Sequence, residues 1–445
     1  MESSDMSTPY ASLSEEQRDK FIEGVSRHFP LTGQMVEQYS DTWDFEALSQ
    51  NEVLYWSEEL VERFEERWDW EKLGLNEALP WSEDLIARHE DRWTEVRYFE
   101  DWRNLSRNES LPWSKELISR FEDRWDWDYL GGNEALPWSE DLIVQFENRW
   151  AWDGTWLNAN EALPWSEDLI ACFEDRWNWD GFNSLSSNEA LPWSEELIER
   201  HEDRWDFKIL SRNRGLPWNV RLLRRYEDQW DWRRLSSNGA LPWSEELIAR
   251  YEDRWTWGEE GGGLSFQESI PWSEDLIDRF EDSWEWWVLS ANGALPWSED
   301  LIARYEDRWD WDELSGNDGL PWSARLIERY EDRWNWGGSA GPTGLSKNDA
   351  LPWSRKLVGR YESRWFWPNL SSGSRAARSV DIIERFEDQW SWASLSESKT
   401  LPWYEGLLER FADRWYWEKI PSEIFVKHLT PDAIRLVASN SKQQT

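Results

Sequence analysis

Cysteine, histidine and long apolar runs are all scarce in this sequence of 445 residues. The one cysteine, Cys172, cannot form an intramolecular disulfide, which is typical of a reducing cytosol and excludes cysteine-based zinc or redox motifs. No apolar run reaches the roughly 18 residues that a membrane-spanning helix needs. Residues 1–18 also lack the basic and apolar segments of a secretory signal. These absences predict a cytoplasmic protein without a membrane-embedded segment.

Basic residues are few beside acidic ones. The chain has 49 Lys and Arg against 90 Asp and Glu, so its formal net charge is −41. Such a charge repels nucleic acid phosphates and anionic lipid surfaces over a Debye length of about 8 to 10 Å. We therefore expect neither nucleic acid nor membrane partners, and we expect a protein partner to be basic.

Tryptophan is abundant, with 43 residues, and its spacing reveals tandem repeats. A Trp preceded four residues earlier by Phe, Tyr or His recurs through most of the chain. Nine of the fourteen intervals between these Trp equal 25 residues, and the others carry insertions of 2 to 7 residues. The positions are Trp43, Trp68, Trp93, Trp125, Trp150, Trp177, Trp205, Trp230, Trp255, Trp284, Trp309, Trp334, Trp365, Trp390 and Trp415. This period predicts a solenoid, in which each repeat packs on its neighbours.

The first half of a repeat has the pattern of an amphipathic helix. Residues 82–93 place apolar and aromatic side chains at i, i+1, i+4 and i+8, on one face of a helix of about three turns. Ser82 is the N-cap candidate. Asp84 is expected to pair with Arg88 at i+4.

A short second element follows, in which Trp and Leu stand three residues apart, as in residues 69–76. This spacing suits one turn of α- or 3-10 helix. In eleven repeats an Asn comes three residues after that Leu. Such an Asn suits either a left-handed backbone at the helix exit or a side-chain bond to a neighbouring repeat.

The resulting prediction is an all-α fold. It is an α-solenoid of about fourteen 25-residue units, called repeats below, each a three-turn helix plus a short α- or 3-10 turn. Residues 32–420 form the solenoid. Residues 1–31 are predicted to be an N-terminal cap segment, and residues 421–445 a C-terminal cap helix with a polar tail.

The repeated segments also carry a resemblance. They read Leu-Pro-Trp-Ser, Glu-Asp-Arg-Trp and Trp-x-x-Leu-Ser-x-Asn, as in residues 136–139, 122–125 and 232–238. They resemble tryptophan-rich tandem repeats of mostly uncharacterised bacterial proteins, and the third is distantly similar to a repeat of giant-virus proteins. The resemblance covers about residues 32–420 and implies a repeat architecture, but no particular activity.

No catalytic or metal-binding arrangement stands out from the repeats. His89 and His201 occupy the Phe or Tyr position of their repeats and are interpreted as packing residues, and Cys172 has no His nearby in the sequence. The Trp ladder is also interpreted as packing, with exposure of a subset for ligand stacking as the alternative. We expect no enzyme activity, no cofactor and no metal site. An enzyme whose site the repeats conceal is a remote alternative.

The clearest departure from the repeat is basic. Residues 212–235 contain seven Arg against three acids. We define these seven arginines as the candidate interaction patch. The patch consists of Arg212, Arg214, Arg221, Arg224, Arg225, Arg233 and Arg234. A second departure, at residues 373–380, makes Arg375 and Arg378 secondary candidates. It either opens a groove or marks a degenerate repeat.

These features predict a non-catalytic cytosolic repeat scaffold that mediates protein–protein interaction, with a basic protein as its partner. The alternative is a structural protein that self-associates, docking the candidate patch on acidic repeats of another copy.

Overall fold

A computed structural model describes residues 15–93, 102–154, 156–258, 262–337, 344–372, 374–411, 414–416, 419–421 and 424. Across these residues all regular secondary structure is helical, and a first helix of six residues alternates with a second helical element of three to six residues about every 25 residues. The all-α repeat solenoid is therefore confirmed. The predicted C-terminal cap helix lies almost wholly outside the described residues. Within them, no helix combines the length and the apolar character that crossing a membrane requires.

The helices fall into four groups. A single N-terminal helix spans Glu15–His28. The first helices are Gly33–Gln38, Glu58–Arg63, Glu83–Arg88, Lys115–Arg120, Glu140–Gln145, Glu167–Cys172, Glu195–Arg200, Val220–Arg225, Glu245–Arg250, Glu274–Arg279, Glu299–Arg304, Ala324–Arg329, Arg355–Arg360, Val380–Arg385 and Glu405–Arg410. The second helices are Phe45–Ser49, Trp70–Leu75, Arg103–Arg107, Trp127–Gly132, Phe207–Leu210, Trp232–Leu235, Trp286–Ala291, Trp311–Gly316, Trp367–Ser371 and Trp392–Glu397. The 3-10 helices are Leu157–Ala159, Leu185–Ser187, Leu264–Phe266, Leu345–Lys347 and Arg375–Arg378.

The chain divides into two compact regions. The first region comprises Met1–Trp150 and Ser391–Thr445, and the second comprises Ala151–Trp390. In the first region, the N-terminal helix packs on Phe45–Ser49. Its Ser26 accepts a hydrogen bond from the Asp44 backbone N–H at 3.1 Å and another from Asn51 Nδ2 at 2.7 Å. This helix thus supplies the acceptors that a preceding repeat supplies elsewhere. The boundaries predicted at residues 31 and 420 stay predictions.

The first helix is shorter than the three turns predicted. In residues 82–93 it is regular only over Glu83–Arg88, because His89 leaves the helix with φ −108° and ψ 25°, and turns carry the chain to Trp93. The Trp93 indole N–H then donates to the carbonyl of Ile86 at 3.1 Å. That carbonyl belongs to the last turn, whose acceptors have no partner within the helix. The aromatic pair therefore closes the helix instead of extending it.

Insertions explain why some second elements are 3-10 helices. In the repeat of Trp257, six residues separate this Trp from Leu264, where the regular repeat has two. The two side chains then belong to no common α-helical turn, and among the described residues of this second element the helical ones are Leu264–Phe266. The segments 157–159, 185–187 and 345–347 follow insertions of the same kind.

Asparagine at the exit of the second helix joins each repeat to the one before it. Asn317 is extended, with φ −78° and ψ 114°. Its Nδ2 donates to the carbonyls of Ser290 at 2.8 Å and Asn292 at 3.3 Å, and its Oδ1 accepts the Gly319 N–H at 2.8 Å. Such a bond to the preceding repeat or helix recurs along the chain, as at Asn51, Asn76, Asn213 and Asn348. The side-chain bond, of the two alternatives, is therefore confirmed.

A buried serine in the second helix makes a further connection. The Ser290 hydroxyl donates to the carbonyl of Trp286 at 2.7 Å and accepts the backbone N–H of Asp310, in the next repeat, at 2.9 Å. Asp310 in turn is the N-cap of its own second helix and accepts two N–H groups of the first turn. Side-chain hydrogen bonds thus fix the register of successive repeats.

Tryptophan fills three positions of the repeat, and around Trp255 each of the three has its own backbone acceptor. The indole N–H groups of Trp232, Trp243 and Trp255 donate to the carbonyls of Glu227, Asn238 and Ile248 at 3.0, 3.1 and 3.1 Å. The Trp255 ring lies 4.9 Å from that of Trp232 in the preceding repeat and 5.0 Å from that of Trp243 in its own. Packing is therefore confirmed for this ladder. Leu or Phe would fill part of the volume but leave the carbonyls without their donor.

Replacing Ser244 with Ala is expected to lower the free energy of unfolding by about 1 kcal/mol, since it removes an N-cap acceptor. Ser244 accepts the backbone N–H of Leu247 at 3.2 Å. Ser244→Asn is the matched control, because Asn219 caps the preceding repeat in the same way, accepting the Leu222 N–H at 2.9 Å. Urea unfolding should give a loss for Ala and almost none for Asn. Equal losses would contradict the capping role.

Candidate functional site

Arginines at the end of the first helices mostly bind the preceding repeat. Arg304, for example, lies 3.0 Å from Glu274 and 3.3 Å from Asp278. Such pairs are side by side on successive first helices, and they recur through both regions. These arginines belong to the stack itself and do not form a separate site.

The expected i+4 pair between Asp84 and Arg88 is wrong for the same reason. Arg88 instead lies 3.4 Å from Glu58 and also pairs with Glu62, both in the preceding repeat. The long arginine side chain crosses to the neighbouring helix, where two carboxylates converge on it. Asp84 is left exposed at the helix start, where its charge complements the helix dipole.

The arginine of Glu-Asp-Arg-Trp also connects repeats. Arg308 lies 2.8 Å from Glu281 and 3.2 Å from Asp282, and its guanidinium sits 5.4 Å from the centre of the Trp286 ring. Equivalent contacts recur at Arg204, Arg254 and Arg333. Ion pairing combined with cation–π contact explains why this position is arginine in most repeats.

The structure divides the candidate interaction patch between two surfaces. Arg221, Arg224 and Arg225 belong to the first helix Val220–Arg225. Arg212, Arg214, Arg233 and Arg234 lie on or beside the second helices Phe207–Leu210 and Trp232–Leu235. The patch defined from sequence is therefore not one continuous basic surface.

Two of the first-helix arginines are engaged in ion pairs. Arg221 lies 2.6 Å from Glu195 and Arg225 lies 2.5 Å from Glu199, both in the preceding repeat. The hydrogen bond and charge of Arg225 lower the pKa of the Glu199 carboxyl. Arg225 also occupies the position where Arg88, Arg304 and other repeats have arginine, so it is part of the regular pattern. Arg224 lines a small surface cavity of about 430 Å³ and has no ion pair within the described part of the chain.

The second-helix arginines line an open groove of the second region. Arg212, Arg214 and Arg234 border a cavity of about 400 Å³ together with Phe182 and Ile209. A neighbouring cavity of about 790 Å³ shares Arg214 and Ser237 with the first and adds Gly239, Gly262 and Phe266. We call the two cavities together the 182–269 groove.

The arginines of this groove differ in their contacts. Arg234 lies 3.3 Å from Asp231 and donates to the carbonyl of Lys208 at 3.2 Å. The exposed side chains of Arg212 and Arg214 make no ion pair or hydrogen bond with any described residue. They are thus the members of the candidate patch that face this groove without a charge partner.

The secondary candidates have a local explanation. Arg378 lies 2.8 Å from Asp349 of the preceding repeat, and the backbone N–H of Arg375 donates to the same carboxylate at 2.8 Å. Ser379, which follows, makes no side-chain cap bond. These contacts favour a degenerate repeat over an opened groove. Gly373 is outside the described residues.

His89, His201 and Cys172 occupy ordinary positions of the repeat. The buried rings of His89 and His201 lie 4.8 and 5.0 Å from those of Trp70 and Trp179, as packing residues do. Cys172 is exposed at the end of a first helix. Among the described residues, no three His, Cys, Asp or Glu side chains are grouped so as to hold a metal ion. His428 lies outside those residues.

Comparison with protein-family models, with curated proteins and with solved structures gives no match. Arguments about function therefore rest on this chain's own surfaces.

The aromatic and glycine members of the 182–269 groove were missed by the sequence analysis. Phe182 and Phe266 are 75% and 43% exposed, unlike the Trp of the repeat. The sequence does carry a signal for the groove, at the residue that follows the Asn at the exit of the second helix. It is glutamate in six successive repeats, from Glu52 to Glu189, and then becomes Arg214 and Gly239. Aligning the repeats at that one position would have located the groove.

Proposed function

We propose that this protein is a non-catalytic scaffold that binds an extended basic segment of a partner protein along its first region. The observation that carries the proposal is a row of glutamates at the turn after the exit Asn. It consists of Glu52, Glu77, Glu109 and Glu134. All four are exposed, and none makes an ion pair with a described residue.

The fold does not require these glutamates. In three repeats of the second region the same position is occupied by Arg214, Gly239 and Gly293, and the exit-Asn hydrogen bonds are intact there. Other repeats of that region keep an acid at this position. Many of the other exposed acids have structural partners or roles. Acids of Glu-Asp-Arg-Trp bind an arginine of the next repeat in cases such as Glu281 and Asp282 with Arg308, and those at helix starts complement the helix dipole. The glutamate row is an acidic feature that recurs at one position of the repeat and that the stack leaves for a ligand.

The repeat geometry specifies the ligand's register. Packed helices lie about 8 to 10 Å apart, so successive glutamates of the row present one charge per step of that size. A peptide in the extended polyproline II conformation rises about 3.1 Å per residue with three residues per turn, so every third side chain lies on one face. A lysine or arginine at every third position therefore matches the row, whereas clustered basic residues match only one or two of its charges.

The test uses two lysine peptides of identical composition in fluorescence anisotropy. One has lysine at every third position between serine and alanine, and the other has its lysines clustered. We expect the spaced peptide to bind more tightly, with affinity that falls as salt is added. Changing the four glutamates of the row to Gln should weaken binding of the spaced peptide about tenfold or more, taking each exposed pair as roughly 0.2 to 1 kcal/mol.

A matched variant changes the helix-start acids of the same region, Glu59→Gln, Asp84→Asn, Glu116→Gln and Asp141→Asn, and so alters the net charge equally. It should retain most of the binding. Equal losses of affinity in both variants, or equal affinity for both peptides, would show a general attraction between opposite charges that does not depend on their spacing. Either result would contradict the proposal. Thermal melts should show that all variants stay folded.

Self-association is less well supported by the contacts. It depended on a continuous patch of seven arginines, but Arg221 and Arg225 already bind Glu195 and Glu199 within the same chain. The arginines left without a charge partner are separated on different surfaces. We therefore propose a partner protein in preference to a second copy, and light scattering at low and high salt distinguishes the two.

A further inference from the structure

The 182–269 groove is a second surface whose character is opposite to that of the glutamate row. It lies wholly within the second region and is lined by residues of four successive repeats. Three features coincide there: an interrupted row of acids, arginines without charge partners and exposed aromatic rings. None of the three is required by the packing of the repeat, because other repeats keep the same first helices and inter-repeat Asn bonds without them.

Where the row of acids is interrupted, one position changes from negative to positive charge and the next loses its side chain. Arg214 and Gly239 stand where the preceding repeats have glutamate. A Cβ atom at Gly239 would lie 3.2 Å from the Ser269 hydroxyl, so even a small side chain there would reach the floor of the larger cavity. The two substitutions thus open the groove and change the sign of its wall.

The aromatic rings stand at the two ends of this basic stretch. Phe182 borders the smaller cavity and Phe266 the larger one. The exposed ring of Trp287 lies 6.0 Å from that of Phe266, edge to face. Exposed rings beside free guanidinium groups are the combination by which interfaces hold an aromatic and a carboxylate of a ligand together.

We propose that the 182–269 groove binds an extended acidic peptide segment of a partner protein, with at least one aromatic side chain. Arg212 and Arg214 would bind carboxylates, where two parallel N–H···O bonds are available to each guanidinium. Four repeats give three steps of about 8 to 10 Å, which an extended segment of about eight or nine residues spans.

The groove favours a peptide over a nucleic acid strand. Glu189 and Glu268 also line its wall. A peptide backbone has N–H donors for such carboxylates, and only some of its residues need carry a charge, whereas a phosphodiester backbone has no such donor and carries a negative charge at every nucleotide. The proposal is independent of the glutamate row, because it uses other residues, in the other region, and a ligand of opposite charge.

The probe for the test is a fluorescein-labelled peptide of about nine residues, in which glutamate alternates with serine around a central tyrosine. We expect anisotropy to report binding that weakens with salt. The peptide with lysine for glutamate, and an oligothymidylate of the same length, should each bind the groove at least tenfold more weakly. The peptide with alanine for tyrosine should lose affinity as well.

Two pairs of variants make the result specific. Arg212→Glu with Arg214→Glu should weaken binding about tenfold or more, whereas Arg224→Glu with Arg250→Glu should change it less than about twofold. The control pair is exposed, lies in the same region and has no described ion pair. Likewise Gly239→Glu should weaken binding and Gly293→Glu should not, since Gly293 holds the same repeat position outside the groove.

Several outcomes would overturn the proposal. In one, the groove variants and their controls change the affinity for the acidic peptide equally, while circular dichroism shows that all of them are folded. Another is stronger binding of oligothymidylate than of the acidic peptide, which would assign the groove to nucleic acid. A third is loss of a salt-sensitive dimer in the Arg212 and Arg214 variant, with no binding of the peptide, which would assign the groove to a second copy. Failure of the lysine-peptide experiment would leave this test unaffected.

Discussion

Replacing Trp255 with alanine is expected to lower the free energy of unfolding by about 3 to 5 kcal/mol. Trp255 is 5% exposed and its ring contacts Trp232 in the preceding repeat and Trp243 in its own. The substitution leaves a cavity at the junction of two repeats and removes the donor to the Ile248 carbonyl. Because solenoid stability is a sum of repeat and neighbour terms, the loss affects both adjacent repeats.

Urea unfolding followed by circular dichroism measures this effect. Trp287→Ala is the matched control, since Trp287 is 47% exposed and lies outside the three Trp positions of the repeat. A change at such a surface site is expected to stay within about 0.5 kcal/mol. Trp255→Phe should give an intermediate loss, because it keeps much of the ring volume and removes the N–H donor. Similar stabilities for the two alanine variants would contradict the packing role.

The parts of the fold that sequence predicts are those governed by neighbours along the chain. The helix start at Ser82 is predicted because a cap and its N–H donor are three residues apart. The end of that helix at Arg88 is not, because the chain turns there to pack Trp93 against Trp70 of the preceding repeat and Trp81 of its own, contacts that form only once the repeats are folded. The hydrophobic pattern, with its period of 3.6 residues, continues through the turn unchanged, so it does not show where the helix ends.

The candidate patch shows why surfaces of a repeat protein are hard to predict from a window of sequence. Residues 212–235 span almost one 25-residue repeat, so the window necessarily includes both the second-helix edge and the first helix. Arg214 and Arg225 are close in sequence but serve a groove and an inter-repeat ion pair, respectively. Phe182 and Phe266, which share Arg214's groove system, lie in other repeats. The informative comparison is between equivalent positions of successive repeats.

Inter-repeat contacts also determine which polar residues the fold cannot lose. The surface arginine pairs are exposed and individually weak, whereas the exit Asn is buried and makes bonds to two carbonyls of the preceding repeat. Asn317 is 4% exposed, and its Nδ2 lies 2.8 Å from the Ser290 oxygen and 3.3 Å from the Asn292 oxygen. Buried polar groups that lose their partner cost more than exposed ones, so stability should depend far more on this amide than on any one ion pair.

Asn317→Asp is therefore expected to cost about 3 to 5 kcal/mol at neutral pH, as for an unpaired buried charge. The substitution barely changes the shape of the side chain, but it replaces the N–H donor with an oxygen that faces two carbonyl oxygens. Burial and these dipoles raise the pKa of the new carboxyl in the folded state above its unfolded value. Relative to the native sequence, the variant is therefore most stable at low pH, where the carboxyl is protonated, and it loses stability as pH rises above the unfolded pKa.

The measurement is the urea midpoint of the variant relative to the native sequence across acidic to neutral pH. The difference should shrink on acidification, as the protonated carboxyl regains an O–H donor for one carbonyl. Asn317→Gln is the control, since Gln267 occupies this position in another repeat and keeps a bond to the Ser236 carbonyl at 3.2 Å. Its loss should be smaller and independent of pH. A loss for Asp that matches Gln at neutral pH, or that does not respond to pH, would mean that the carbonyls of the preceding repeat do not depend on this donor.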